Sequence, residues 1–254
     1  MSSSATRELI RAQSQEFVRD GRYFYFALLF PFGMMAIFLG LAQITPTDPS
    51  SGFGFDQIVV PMTVFLSVTS VAFMATAGPL ATMRTKGTLR LLGTTPVGRS
   101  RLILTHMPAR LGLVLFQVTV LLAVGVGLDM VDLGALPALG AITVLGLAMF
   151  GSLGYLLGGV LPTPETASNA STLIQLAALF LSGLVLPLSV LPDTAAQILS
   201  YLPTTFFADL LIAQMPGGDP THPAWLSVLV ILATTVIIAT LAISTFKWDQ
   251  GEND

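Results

Sequence analysis

The chain has no cysteine and only two histidines, His106 and His222, far apart in sequence. A disulfide framework, a thiolate nucleophile and a cysteine-held metal are therefore excluded. No H-x-x-x-H spacing or carboxylate–histidine cluster suggests another metal site, so no metal and no catalytic residue is assigned. A G-x-x-x-x-G-K-[ST] phosphate loop is missing as well, which removes the usual route to ATP hydrolysis in this chain. No cofactor is expected to bind here, and no nucleic acid.

Charge is the next scarcity. Asp, Glu, Lys and Arg make up 10% of the residues, against roughly 25% in soluble domains. Hydrophobic residues make up 53%, more apolar surface than a soluble domain of this size could hide from water. The bilayer must be the solvent for most of it. The long apolar runs hold almost no ionisable side chain, and Arg110 sits at the end of one. Ion-coupled carriers usually place Asp, Glu, His or Lys inside their spans as relays or counter-ions. Any transport by this chain is expected to draw its energy from a partner.

A membrane-crossing helix needs about 20 predominantly apolar residues. Six runs meet or approach that length: 23–44, 58–82, 111–128, 133–161, 173–191 and 225–246. Arg7, Arg11, Arg19 and Arg22 precede the first run; Arg84, Lys86, Arg90, Arg99, Arg101 and Arg110 separate the second from the third; Lys247 follows the sixth. With six spans all eleven basic residues fall on one face, and the opposite loops carry only Asp48, Asp56, Asp129, Asp132, Asp193, Asp209 and Asp219. The positive-inside rule then puts both termini in the cytoplasm, with the protein multi-pass in the plasma membrane.

Residues 1–22 are polar and charged, so no cleavable signal peptide is expected ahead of the first run. They suit an amphipathic helix on the inner membrane face. Arg7, Arg11, Arg19 and Arg22 share one side of the wheel, Leu9, Ile10, Phe17 and Phe24 another, and Ser4 is a candidate N-cap. Residues 23–254 form the six-span domain. Within it, residues 192–221 contain two short apolar segments, Asp193–Leu202 and Thr204–Met215, separated by Pro203. Each is too short to cross, so both are expected to be re-entrant or interfacial on the outer side. The expected fold is all-α. The G-x-x-x-G of Gly154 and Gly158 in the fourth run allows close helix packing, more within the chain than between chains.

The loop 83–110, MRTKGTLRLLGTTPVGRSRLILTHMPAR, holds six of the eleven basic residues, alternating with Leu89, Leu91, Leu92, Leu102, Ile103 and Leu104. Pro96 favours a helix start and discourages continuation through Thr95, so two short amphipathic helices are expected. The pattern Gly87-Thr88-Leu89-x-Leu91-Leu92-x-Thr94-Thr95-Pro96-Val97-x-Arg99 resembles the type-2 ABC exporter permeases. A second matching stretch, Leu181-Ser182-Gly183-Leu184-Val185-Leu186-Pro187-Leu188-Ser189-Val190-Leu191-Pro192, leads into the external segment. Relatives often carry a glutamate where this chain has Met83-Arg84-Thr85-Lys86, and Gly-Lys where it has Thr105-His106-Met107.

The resemblance implies that the loop contacts a separate P-loop ATPase, with Lys86, Leu89, Arg90, Pro96, Arg99 and Arg101 as the coupling residues. It implies two ATPase chains, which bind ATP and Mg, and two permease chains, as a homodimer. A substrate path would run between the permeases, faced by spans two and five. Candidates on that path are Thr69, Phe73, Gln175 and Phe180, and on the external gate Pro187, Pro192, Phe206 and Phe207. The apolar character of these spans favours a hydrophobic or amphipathic substrate, such as a drug, antibiotic or lipid. Two other classes remain open on the residues alone: a self-sufficient channel or secondary carrier, and a non-transporting assembly factor.

Overall fold

The computed structural model describes residues 21–44, 55–87 and 99–246. The expected N-terminal helix, the coupling candidates Leu89, Arg90 and Pro96, and Lys247 lie outside the described residues. Nine α-helices are described: α1 Gly21–Ile44, α2 Phe55–Phe73, α3 Ala77–Thr85, α4 Arg99–Gly127, α5 Leu136–Val160, α6 Pro164–Leu181, α7 Asp193–Ser200, α8 Pro203–Ile212 and α9 Ala224–Thr245. Two short 3-10 turns, Leu133–Ala135 and Leu188–Val190, join them, and no strand occurs among the described residues.

Five stretches are long and apolar enough to cross a membrane: Tyr25–Gln43, Ile58–Thr85, Thr105–Gly127, Leu133–Val160 and Ala224–Thr245. A sixth is reached if the pair α7 and α8, bent by 86°, is counted as one broken span. The second stretch is the axis of the bundle, with 94% of its most apolar window buried, against 17% for the last. Around α2 pack α1, α4 and α5, with α9 against the far side of α5.

Prolines inside spans show how this packing is secured. Pro31 lies in α1 and has no N–H, so the carbonyl of Ala27, four residues back, loses its helical partner. In lipid such an orphan must be satisfied by protein. Gln117 of α4 does so: its Nε2 donates to Ala27 O at 2.7 Å and Leu28 O at 3.0 Å. Its Oε1 accepts from Ser67 of α2 at 3.1 Å, so one side chain ties three helices.

Three expectations change. The second run is interrupted, because α2 stops at Phe73 and α3 begins at Ala77. The second amphipathic helix of the basic loop is not a separate element, since Arg99 already belongs to the 29-residue α4. Pro108 removes one backbone bond without ending that helix, which gives continuity from the loop into the third span. The run 173–191 is not one helix either. Its helix starts earlier, at Pro164, where Thr163 and Thr166 form a reciprocal capping box. It stops at Ser182-Gly183, where Gly183 takes φ +83°, a left-handed conformation that glycine adopts without strain.

Candidate functional site at the Arg84 end of the bundle

The interruption between α2 and α3 is a built feature. The N–H groups of Met74 and Ala75 both donate to Ser70 O, at 2.8 and 3.2 Å, the second spanning five residues instead of four. Ser70 Oγ donates in turn to Leu66 O, and Thr76 Oγ1 donates to Val71 O at 3.1 Å. Hydroxyls thus hold a widened turn that the helix ladder alone would leave open. Arg110 of α4 braces it from outside, its Nε donating to Thr76 Oγ1 at 2.9 Å and its Nη1 to His106 O at 3.0 Å. The guanidinium lies 5.7 Å from the ring centre of Tyr155 in α5, within cation–π range.

The backbone of α5 closes the other side of the break. A Cβ on Gly154 would collide with the carbonyl of Ala72, and one on Gly158 would stand 2.7 Å from that of Ala77. The G-x-x-x-G motif is therefore a seat inside this chain for the two residues that flank the interruption.

From that seat α3 runs to Arg84, which is buried. Its Nη1 donates to Gly159 O at 2.6 Å and its Nη2 to Leu161 O, at the carbonyl end of α5. The last carbonyls of a helix have no partner within it and sit at the negative end of its dipole. A guanidinium satisfies both needs at once. α3 is consequently fixed to the α5–α6 corner, packing against α5 and α6, while only a hydroxyl-laced turn joins it to α2. Lys86, two residues on, is exposed, and α4 returns from the basic loop at Arg99, with Arg101 in its first turn.

The remaining sequence candidates separate. Thr69 and Phe73 have no exposed surface and face the interior of this one chain. Gln175 of α6 is also buried and donates to Thr69 Oγ1 at 3.1 Å, a tie between α6 and α2. Phe180 is 48% exposed, on a face of α6 that also carries Glu165, Asn169, Thr172, Leu173 and Leu176. Of the four, only Phe180 offers surface to a path outside the chain. Among the gate candidates, Phe207 is fully buried, 5.5 Å by ring centres from both Phe65 and Phe150, in a notch that Gly146 leaves open. Phe206 is buried beside His222, ring centres 4.3 Å apart; Pro187 lines a cavity and Pro192 is exposed at the start of α7. Arg84, Thr76 and Arg110 were not among the sequence candidates. The only sequence signal was that Arg84 and Arg110 bound the basic loop.

Fold and site together define a helical membrane protein with a central broken span fastened through Arg84 to the end of its neighbouring helix. The family model described as ABC-2 family transporter protein matches residues 41–244, and the chain belongs to that family of type-2 ABC transporter permeases. No curated protein matches it.

Proposed function

We propose that this chain is the membrane-spanning permease subunit of an ATP-driven exporter, powered by a separate P-loop ATPase that binds ATP and Mg. Two permease chains and two ATPase chains form the working unit, in the plasma membrane with both termini cytoplasmic. In this arrangement α6 is the fifth span, and its partly polar face meets the partner permease instead of lipid.

The observation that carries the reading is the Arg84 clamp. A force on α3 reaches the carbonyl end of α5 directly, because a charge-assisted pair of hydrogen bonds joins them. The helix ladder is interrupted at residues 74–76, so α3 joins α2 through one widened turn and can shift relative to it. Coupling of ATP binding to a distant path requires a stiff link of this kind between two states. The exposed face of α6 supports an amphipathic substrate. It is polar at its Glu165–Thr172 end and apolar from Leu173 to Phe180. Substrate is then drug-like or lipid-like, and export is its direction.

Gentle co-purification from native membranes tests the assembly. A P-loop ATPase should accompany the chain, and its ATPase rate should respond to the permease. Purification without any ATPase, together with gradient-driven flux through the chain alone, would replace this reading by a self-sufficient carrier. ATPase binding with no stimulation by any substrate would favour an assembly factor.

A further inference from the structure

The opposite end of the bundle holds a cavity that the permease reading does not use. It is lined by the first residue of the central span, Ile58, by the corner after α6, and by the stretch from Ile212 to Thr221 that links α8 to α9. Its volume is about 410 Å³, inside the roughly 300–1,000 Å³ range of small-molecule sites. The stretch Ile58–Thr85 is 28 residues long, a helical rise of roughly 40 Å, which separates this cavity from the Arg84 clamp.

Its chemistry is one-sided. Asp209 of α8 and Asp219 both line it, with Ser182, Thr205 and Thr221 as neutral polar groups. No lysine or arginine occurs anywhere between residues 111 and 246, nor between 45 and 57, so no strong base reaches this end from the loops that build it. Asp209 is buried to 3% exposure yet ordered. Its Oδ2 accepts from the His222 N–H at 3.2 Å and meets His222 Nδ1 at 2.7 Å, while among the described residues Oδ1 accepts only the Thr221 N–H at 2.9 Å. A carboxylate offers about four lone-pair sites, so Oδ1 keeps one unused. The rest of the lining is apolar, with Ile58, Leu184, Leu188, Ile212 and Met215.

We infer that this cavity binds an amphipathic organic cation, its ammonium group at Asp209 and Asp219 and its hydrocarbon body against Leu188, Ile212 and Met215. A metal ion is the poorer fit. Among the described residues no three His, Cys, Asp or Glu side chains converge, and apolar side chains share the wall. His222 occupies the Oδ2 side of Asp209, and at the Oδ1 side a carboxylate only 3% exposed attracts an ammonium group because little water screens the pair. The ligand can be a free cationic amphiphile or the ammonium head group of a lipid. The site lies within one chain and does not depend on ATP-driven transport.

The test uses the full chain in nanodiscs of phosphatidylglycerol alone. Hexyltrimethylammonium should bind saturably, with the neutral isostere 2,2-dimethyloctane and hexyl sulfate binding at least ~10-fold more weakly, the scale of one charge-assisted contact. Asp209→Asn should weaken the cation by ~10-fold or more and Asp219→Asn, on the exposed rim, by a few-fold. Leu188→Trp, which fills the cavity without touching charge, should abolish binding. If Asp209→Asn does not fold, the other two variants decide. Repeating the titration with phosphatidylethanolamine in the disc separates the sources: competition by the lipid identifies a head-group site, and unchanged affinity identifies a site for free amphiphiles. Equal binding of the cation and its neutral isostere, or binding that survives both Asp219→Asn and Leu188→Trp, would overturn the inference. Loss of ATPase partnership would leave these results unchanged, so the two proposals fail separately.

Discussion

At the scale of single residues, three backbone defects in the bundle are each answered by a polar side chain from the chain itself. Gln117 answers the carbonyl that Pro31 exposes, Thr76 and Ser70 answer the widened turn after α2, and Arg84 answers the end of α5. This makes a specific expectation for Gln117. Gln117→Leu should destabilise the chain by ~1–3 kcal/mol, the cost of leaving buried polar groups without partners. In a Pro31→Ala background the residue 31 N–H can bond to Ala27 O itself, so the same change should cost measurably less. A double-mutant cycle by thermal unfolding in detergent gives the coupling; strict additivity would refute this role. None of these partnerships was legible in the sequence. Arg84 reads there as one of six basic residues in a loop, since nothing in local spacing shows a guanidinium reaching carbonyls 75 residues away.

Elements were legible where a single signal governs them, and misread where two compete. Apolar length alone located α1, α5 and α9, and Pro203 marked the bend between α7 and α8. It misplaced α6, because hydropathy begins at Leu173 while the capping chemistry at Thr163 starts the helix at Pro164, nine residues earlier. It also missed the break at residues 74–76, although Gly78-Pro79 follows it directly and Pro79 has no N–H to return to the Ala75 carbonyl, a signal that the unbroken apolar run overrode. The G-x-x-x-G spacing in α5 was visible, but its partner was not. That partner gives a contrast within one helix. Gly154→Ala drives a methyl into the Ala72 carbonyl and should cost ~1–3 kcal/mol, the usual range for overpacking. Gly140→Ala meets nothing within 4 Å and should be neutral or stabilising by up to ~1 kcal/mol. Equal thermal shifts for the two variants would show that α5 does not seat the break.

For the whole molecule, the question is whether the basic loop and the bundle act as one machine. Charge reversal at Arg90 and Arg99 should weaken the association with the ATPase, because the loop carries most of the basic residues available to it. Co-purification yield measures this, and an unchanged yield with unchanged transport would remove both residues from the contact. Arg84 separates assembly from coupling. Its side chain is buried and bonded to the end of α5, so Arg84→Gln should leave the complex assembled and the ATPase active. Two charge-assisted hydrogen bonds are lost, each worth about 1.5–3 kcal/mol. The link between α3 and the α5–α6 corner should therefore loosen, and transport per ATP should fall by ~10-fold or more. Arg84→Lys should recover part of that ratio, since an ammonium still meets the negative end of the helix but holds one carbonyl less well. A probe distance between α3 and residue 163 should broaden in step with the lost transport. If ATPase activity and transport decline together in proportion, Arg84 only supports the fold. If the distance stays narrow while transport per ATP falls, force travels by another route, and the hydroxyl-held turn at residues 74–76 is the next element to test.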